Sequence, residues 1–355
     1  MSLKENIHFN IINQQQKLLF ECLGSILKKG ERVALLDFPN HNNVGDNAIW
    51  LGEKEALKKM GVKIVYQCDI YTYSEKALRR HLKNGETVLM HGGGNLGTVW
   101  PEHQRFRERM IETLKEFKLI QLPQSVFFKN DEGLERFGKV ARSHKDFQVL
   151  LRDEPSFKIL EALGLNVKLC PDMALALGAV SPKGEPVHDV VWLSRSDHET
   201  AGKDETLKSV SVEKLDWLIG GPGFFHSRFF ARITVRIRTM VIKIYSNSSF
   251  FRNYLWRFNT MFFDSLAWSR FWRGVRILSR GRVVVTDRLH GHIISTLIGK
   301  SQVLFDNHYR KIGNYMDCFV SSREALLYLG DDSSEFEEKV KQALEYTKKV
   351  SGDEK

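Results

Sequence analysis

From residue 32 onward the chain alternates short apolar runs with amphipathic helical stretches, and no other feature limits its fold so tightly. "RVALLDFP" (32–39) reads as a strand, the polar loop "NHNNVGD" follows, and "NAIWLGEKEALKKMG" reads as a helix ending at Gly61. The order repeats through "VKIVYQC", "KALRRHLKNG" and "TVLMHGGGN", with another helix from about Pro101 to Phe117. "KLIQLPQS", "FQVLLRDEPS" and "NVKLCPDMAL" supply further strands. Such an order predicts a mostly parallel, doubly wound sheet, because each crossover returns along a helix lying on a sheet face. The pattern loosens at "GAVSPKGEPVH" (178–188), which reads as a linker. "DVVWLSR" begins a second series that resumes at "GRVVVTD" and "SQVLFD", and the helix "SSEFEEKVKQALEYTKKV" closes the chain. The expectation is two Rossmann-like domains, residues 1–178 and 179–355, facing a cleft.

Composition narrows the class. With 42% hydrophobic and 27% charged residues the chain is globular. The four cysteines are scattered and give neither a disulfide framework nor a zinc signature, so reduced thiols are expected. No run of 18 apolar residues exists, and "MSLKENIHFNIINQQQ" lacks the apolar stretch of a signal peptide, which predicts a cytoplasmic protein. The net charge of +10 is concentrated. Between Leu218 and Arg282 twelve Arg or Lys stand against one acid, Asp264, and 15 of the 39 aromatic residues fall there. This basic-aromatic window, about residues 218–280, reads as an insertion in the second domain. It either lies on an anionic membrane surface, with Phe250, Phe251, Trp256 and Trp272 among its rings, or packs its aromatics into the second domain or a dimer interface with Arg solvated.

Polar residues gather where strands end. In "VVVTDRLHGHII" (283–294) a buried strand runs straight into a helix, with Thr286 or Asp287 as N-cap and Gly299 as the C-terminal stop. At 100° per residue, His290 projects on the side of Leu297, toward the sheet, while Arg288 and His292 project away. Free amides and the helix dipole at that first turn favour an anion, and Arg288 and His290 add two donors. An Arg288–Asp287 surface pair beside a structural histidine is the plainer alternative. In the first half, Asp46 of "NVGDNAI" is either a proton acceptor or an ordinary helix cap. Gly92, Gly93, Gly94 and Asn95 of "HGGGN" form a loop whose amides can face an oxyanion. Gln124 of "LPQS", Arg152 of "RDEPS" and Asp172 of "PDMAL" lie at further strand ends, with Asp153 orienting Arg152 or capping the next helix. Open α/β sheets bind ligands at that edge. A P-loop lysine and metal-ligand spacings are absent, so no metal or cofactor is expected.

The set "NVGDNAI", "HGGGN", "LPQS", "RDEPS", "PDMAL", "DRLHGHI" and "DNHYRKIGNYMD", in this order over roughly Arg32 to Asp317, resembles the polysaccharide pyruvyl transferase family. The resemblance implies an architecture similar to two-domain (GT-B) glycosyltransferases and transfer of pyruvate from phosphoenolpyruvate to sugar hydroxyls as a ketal. It implies that Arg288 and His290 belong to the donor site and Arg152 and Asp46 to matching active-site positions. His290 would then exchange a proton, Arg288 and Arg152 clamp anions, and Asp46 act as base toward the acceptor. The partners implied are phosphoenolpyruvate and a sugar, which polyprenyl diphosphate would carry at the inner membrane face, with no nucleic acid expected. "WLSRSDHE" is a loose version of the family's second-domain strand, and the basic-aromatic window lies outside the family pattern. The rival is a glycosyltransferase using a nucleotide sugar, which the same cleft would suit.

Overall fold

In the computed structural model, which describes residues 3–194, 210–218, 228–306, 310–320, 326–330 and 335–351, the strands form two parallel sheets. The first contains β1 (Arg32–Leu36), β2 (Lys63–Cys68), β3 (Thr87–Met90), β4 (Gly93–Gly97), β5 (Lys118–Phe127), β6 (Phe147–Leu151) and β7 (Asn166–Leu169). Its order is β2-β1-β3-β5-β6-β7, with β4 alongside β5. The second contains β8 (His188–Leu193), β9 (Val212–Leu215), β10 (Gly281–Thr286), β11 (Ser301–Phe305) and β12 (Leu326–Gly330), in the order β12-β11-β10-β8-β9. Read from its other edge, the second sheet repeats the order of the first: the earliest strand lies between the next two. Each sheet therefore has a switch point, between β1 and β3 and between β8 and β10, where crossovers leave in opposite directions and open a crevice at the strand ends.

The helices in chain order are α1 (Leu3–Gly24), α2 (Val44–Lys59), α3 (Glu75–His81), α4 (Pro101–Thr113), α5 (Asp131–Arg142) and α6 (Glu154–Glu161). A 3-10 turn, Met173–Leu177, follows. Then come α7 (Arg228–Asn247), α8 (Ser249–Tyr254), α9 (Trp256–Ser279), α10 (Leu289–Leu297), α11 (Lys311–Phe319) and α12 (Phe336–Ser351). Side-chain oxygens start several of them: Asn43 caps α2, Ser74 α3, Asn130 α5 and Asp153 α6. Each such cap is worth about 1 kcal/mol against alanine.

Strand alternation builds the cores. Ala34, Leu36, Val88 and Met90 face one core of the first sheet, whereas Val33, Leu35 and Leu89 face another. Val284 and Leu304 of the second sheet enter that same other core, while Val283, Val285 and Val303 face away into a third. The two sheets thus share one apolar interior. Helix α2 comes very close to the 3-10 turn within it: a Cβ on Gly52 would overlap the Met173 carbonyl, so only glycine fits there.

Several details depart from the sequence expectations. The glycine segment is a short strand, β4, paired with β5, rather than a loose loop. α1 was not foreseen from its mixed N-terminal sequence. The basic-aromatic window folds as α7–α9, and the inner side of α9 packs on α2, with Phe263 stacked on Phe38 at 4.0 Å between ring centres. Residues 195–199 of "WLSRSDHE", 219–227 of the window and 307–309 of "DNHYRKIGNYMD" lie outside the described residues.

Candidate active site

The carboxyl ends of both sheets meet around Asp172. This aspartate follows β7, and its Oδ1 accepts from the Ala174 amide at 2.9 Å, starting the 3-10 turn. Its other oxygen, Oδ2, accepts from Arg152 Nη1 at 2.5 Å. His290, from α10 of the second sheet, brings Nε2 to 3.3 Å from that same Oδ2. By hydrogen-bond geometry this buried nitrogen has no partner among the described residues, so the contact is an ion-pair approach. Arg152 emerges after β6, as its position after "FQVLL" predicts, and Nε donates to Ser125 Oγ at 2.9 Å. Burial pushes the Asp172 carboxyl up, but the charges of His290 and Arg152 outweigh it and hold the group far below the usual carboxylate range.

His290 reaches this point because residue 45 has no side chain. A Cβ on Gly45 would stand 2.4 Å from His290 Nδ1, so the imidazole lies directly on the first turn of α2. His290 therefore faces the crevice, as its place in the first turn predicts, but it does so by pointing away from its own sheet. His290 projects across to the other sheet, while His292 turns inward and pairs with Gln302 of β11 through Nδ1 at 2.9 Å. Burial drives His292 down to about 4, so it is held neutral. Neither Thr286 nor Asp287 is the N-cap. That position is Arg288, and the Thr286 hydroxyl accepts from its amide at 3.1 Å. Gly299 does follow the helix end, at φ +67°.

Arg288 does not reach the Asp172 cluster through its ion pair. Its Nη2 donates to Asp216 Oδ2 at 2.7 Å, and the guanidinium lies 5.8 Å from the Trp217 ring centre. Both residues follow β9, so the second sheet orients its own arginine across the β8/β10 switch point. The alternative pairing with Asp287 as a surface contact is not what forms: Arg288 is buried.

Around the β1/β3 switch point stand groups that the sequence reading passed over. Asp46 is not the cap of α2. Asn43 is, and Asn43 Nδ2 also donates to Asp46 Oδ2 at 2.8 Å. Burial raises the Asp46 carboxyl, but His41, His290, His91 and Arg152 more than offset it and keep the group below its ordinary value. His41 Nε2 is 3.6 Å from Asp46. His91, opening "HGGGN", is buried with Nδ1 2.9 Å from Glu53. Burial lowers that imidazole, but Glu53 prevails and raises it, favouring the protonated form. Asp37, beyond β1, carries a rare left-handed backbone for a non-glycine residue (φ +71°) and accepts from His103 Nδ1 at 2.8 Å. His91 lies inside the "HGGGN" motif, and His41 two residues before "NVGDNAI". His103 and Asp216 gave no such signal, because only folding brings them to the crevice.

The glycine segment separates into two roles. Gly94 approaches Arg152, since a Cβ there would be 3.2 Å from Nη2, and Gly93 (φ +122°) faces Asp46 at 3.5 Å by the same measure. The Gly92 amide is already engaged by Glu53 at 2.8 Å. Asn95 and Gln124 fasten the segment from beneath: Gln124 Nε2 donates to Asn95 Oδ1 at 2.9 Å and to the His91 carbonyl at 3.1 Å. Arg107 completes that network with a 2.6 Å contact to Asn95 Oδ1. Asp153 caps α6 at the Ser156 amide instead of orienting Arg152. Among the described residues no group of three or more His, Cys, Asp or Glu is placed to hold a metal ion.

Two parallel sheets whose facing strand ends combine buried guanidinium groups, histidines and carboxylates define an α/β fold with a polar crevice at the edge where open sheets bind ligands. Residues 43–309 match the model of the polysaccharide pyruvyl transferase family. Pyruvyl transferase 1 of Schizosaccharomyces pombe is 31% identical over 327 residues, covering 86% of this chain and 73% of that protein. Putative pyruvyl transferase EpsO of Bacillus subtilis is 28% identical over 309 residues, covering 86% of this chain and 90% of its own. A crystal structure of a functionally uncharacterised protein from Klebsiella pneumoniae shares the fold, with a TM-score of 0.54, 19% identity, and coverage of 89% of this chain and 98% of that one. The chain belongs to the polysaccharide pyruvyl transferase family and is an enzyme of that kind.

Proposed function

We propose that the enzyme transfers the pyruvyl group of phosphoenolpyruvate onto two hydroxyls of one sugar unit as a ketal, in the synthesis of an exopolysaccharide or other cell-surface glycan. The arrangement that carries this reading is the Asp172 carboxylate shared by Arg152 and His290 across the two sheets. Phosphoenolpyruvate bears a carboxylate and a phosphate on a three-carbon frame. Its site needs permanently charged planar donors and a group that exchanges protons beside them. Arg152 and Arg288 supply the first, and His290 the second.

The proton inventory assigns the roles. Each sugar hydroxyl loses one proton as its oxygen bonds to the central carbon. One proton arrives on the methylene carbon, which becomes methyl, and the other leaves with phosphate as the carbon–oxygen bond breaks. His290 is the donor-side acid and base. Asp46, held ionised by the surrounding histidines and Arg152, takes a proton from the acceptor hydroxyl. On this reading the two domains work as in two-domain glycosyltransferases, with the donor on the second domain and the acceptor on the first. A sugar carried on polyprenyl diphosphate would bring a cytoplasmic enzyme to the inner face of the membrane.

Phosphate release tests the proposal. The protein is incubated with phosphoenolpyruvate and a panel of lipid-linked and simple glycosides, and the product is analysed for a ketal. Acceptor-dependent release with ketal formation is expected. Transfer from nucleotide sugars, with phosphoenolpyruvate inert, would overturn the reading in favour of glycosyl transfer.

A further inference from the structure

Away from the cleft, α9 is apolar on two sides. Phe263, Ala267, Phe271 and Val275 are buried on its inner side. On its outer side Phe258, Met261, Phe262 and Trp268 recur at helical spacing and are exposed. α8 precedes it with Phe250 and Tyr254, their rings 5.4 Å apart. Phe250, Tyr254, Phe258, Met261 and Phe262 are each 52% to 69% exposed. Single exposed hydrophobic residues are ordinary on protein surfaces, whereas five so close in sequence are not.

The charges around these residues say what would cover them. Asp264, the one acid of the window, turns inward to Lys54 and to Trp50 Nε1. Arg257, next to Phe258 in the chain, and Lys243 of α7 are exposed. From the first domain, Arg80 stands 4.5 Å and Lys76 5.8 Å from the Tyr254 ring centre. A second copy seated on this face would oppose these cations with its own, since a twofold interface meets itself. A single nucleic-acid strand needs a groove with stacking platforms, and helix exteriors are convex. An anionic bilayer satisfies both parts: rings and Met enter at headgroup level, and lysine and arginine meet phosphates. No helix among the described residues is long and apolar enough to cross a membrane.

We propose that the outer face of α8 and α9, rimmed by Lys76, Arg80, Lys243 and Arg257, docks on an anionic phospholipid surface. The structure also corrects which rings take part. Of the four suggested by sequence, Phe250 is exposed, but Trp256 is buried against Tyr66 at 5.0 Å between ring centres. Phe251 and Trp272 are half-buried, with Lys183 4.5 Å from the Trp272 ring centre.

Co-sedimentation of the full chain with vesicles tests this independently of pyruvyl transfer. Mixed phosphatidylglycerol–phosphatidylcholine vesicles should pellet the protein, phosphatidylcholine alone should not, and salt should weaken the effect. The triple variant Phe258→Ser, Met261→Ser, Phe262→Ser should lose roughly tenfold or more of the binding while keeping its circular dichroism. Lys243→Glu with Arg257→Glu should lose it too, and Val187→Ser, exposed elsewhere, should not. Equal pelleting with both vesicle types, or a triple variant that pellets like the parent, would overturn the proposal. So would a dimer that the triple variant splits, coupled with no vesicle binding.

Discussion

The β1/β3 and β8/β10 switch points share a strand order but carry different side chains. At the first, Asp37 and Asp46 stand beside the strand ends with His41, His91 and His103 around them. At the second, Arg288 and His290 follow β10, and Asp216 serves to hold Arg288. The first switch point sets carboxylates among histidines, and the second offers an arginine beside a histidine. The low pKa of Asp172, which belongs to the first sheet, arises largely from His290 of the second. Identical topology provides the crevice twice. Because Asp172 belongs to one sheet and His290 to the other, neither half alone makes the site.

The sharpest way to break the comparison is to remove one histidine from α10 at a time. His290→Ala should lower kcat by about a hundredfold or more if the residue transfers a proton. His292→Leu, two positions along, should leave turnover near that of the parent, because His292 faces β11. Steady-state phosphate release measures both, and a near-normal His290 variant would remove that residue from the mechanism.

The arginines come next. Arg288→Ala should raise KM for the donor at least tenfold, since losing a charge-assisted contact costs about 1.5–3 kcal/mol. Arg152→Ala, like Arg288→Ala, breaks a buried ion pair and should also lose about 3–5 kcal/mol of stability. Kinetics and urea titration of the two variants check these; either variant unfolding like the parent would contradict the stability loss.

A smaller effect distinguishes the sheets by pH. Asp172 has its folded value below its unfolded value, so its stabilising contribution is complete above about pH 4 and is lost as pH falls further. His292 is also depressed, but it is a base. Stability linked to it is complete above about pH 6.5 and declines as pH falls toward about 4, where the folded group at last takes a proton. Urea midpoints across pH 2–8 should therefore lose their upper acid slope in His292→Leu and their lower one in Asp172→Asn. The smallest expectation is no change: extensive treatment with EDTA should leave activity intact, and a loss reversed by one divalent ion would contradict it.

Much of the architecture was legible in sequence because β-branched runs and helical periodicity are local. Arg152, Asp172 and His290 converge, and their position after strands announced as much. What local patterns could not supply was direction across the cleft. The spacing of α10 placed His290 and His292 on different sides correctly, yet which side met the other sheet depended on Gly45 being small enough to admit a ring. The pairing of Arg288 with Asp216 spans 72 positions, and that of Asp37 with His103 spans 66, so neither leaves a local trace. α9 was legible as basic and aromatic, but its two faces became distinct only against α2.

Helix α1 belongs to neither sheet, and that has a practical side. Gln16 donates to the Leu175 carbonyl at 2.8 Å at the end of the first half, while Gln15 accepts from Tyr315 Oη at 2.5 Å in the second. Ile11, Ile12, Leu19 and Leu23 fill the interior the sheets share. A truncation beginning just before β1 would look tidy on paper, yet it would cut a strap that spans both halves. Anyone shortening this enzyme for crystallisation or fusing a partner to its front should treat those first two dozen residues as a hinge pin rather than as a tail.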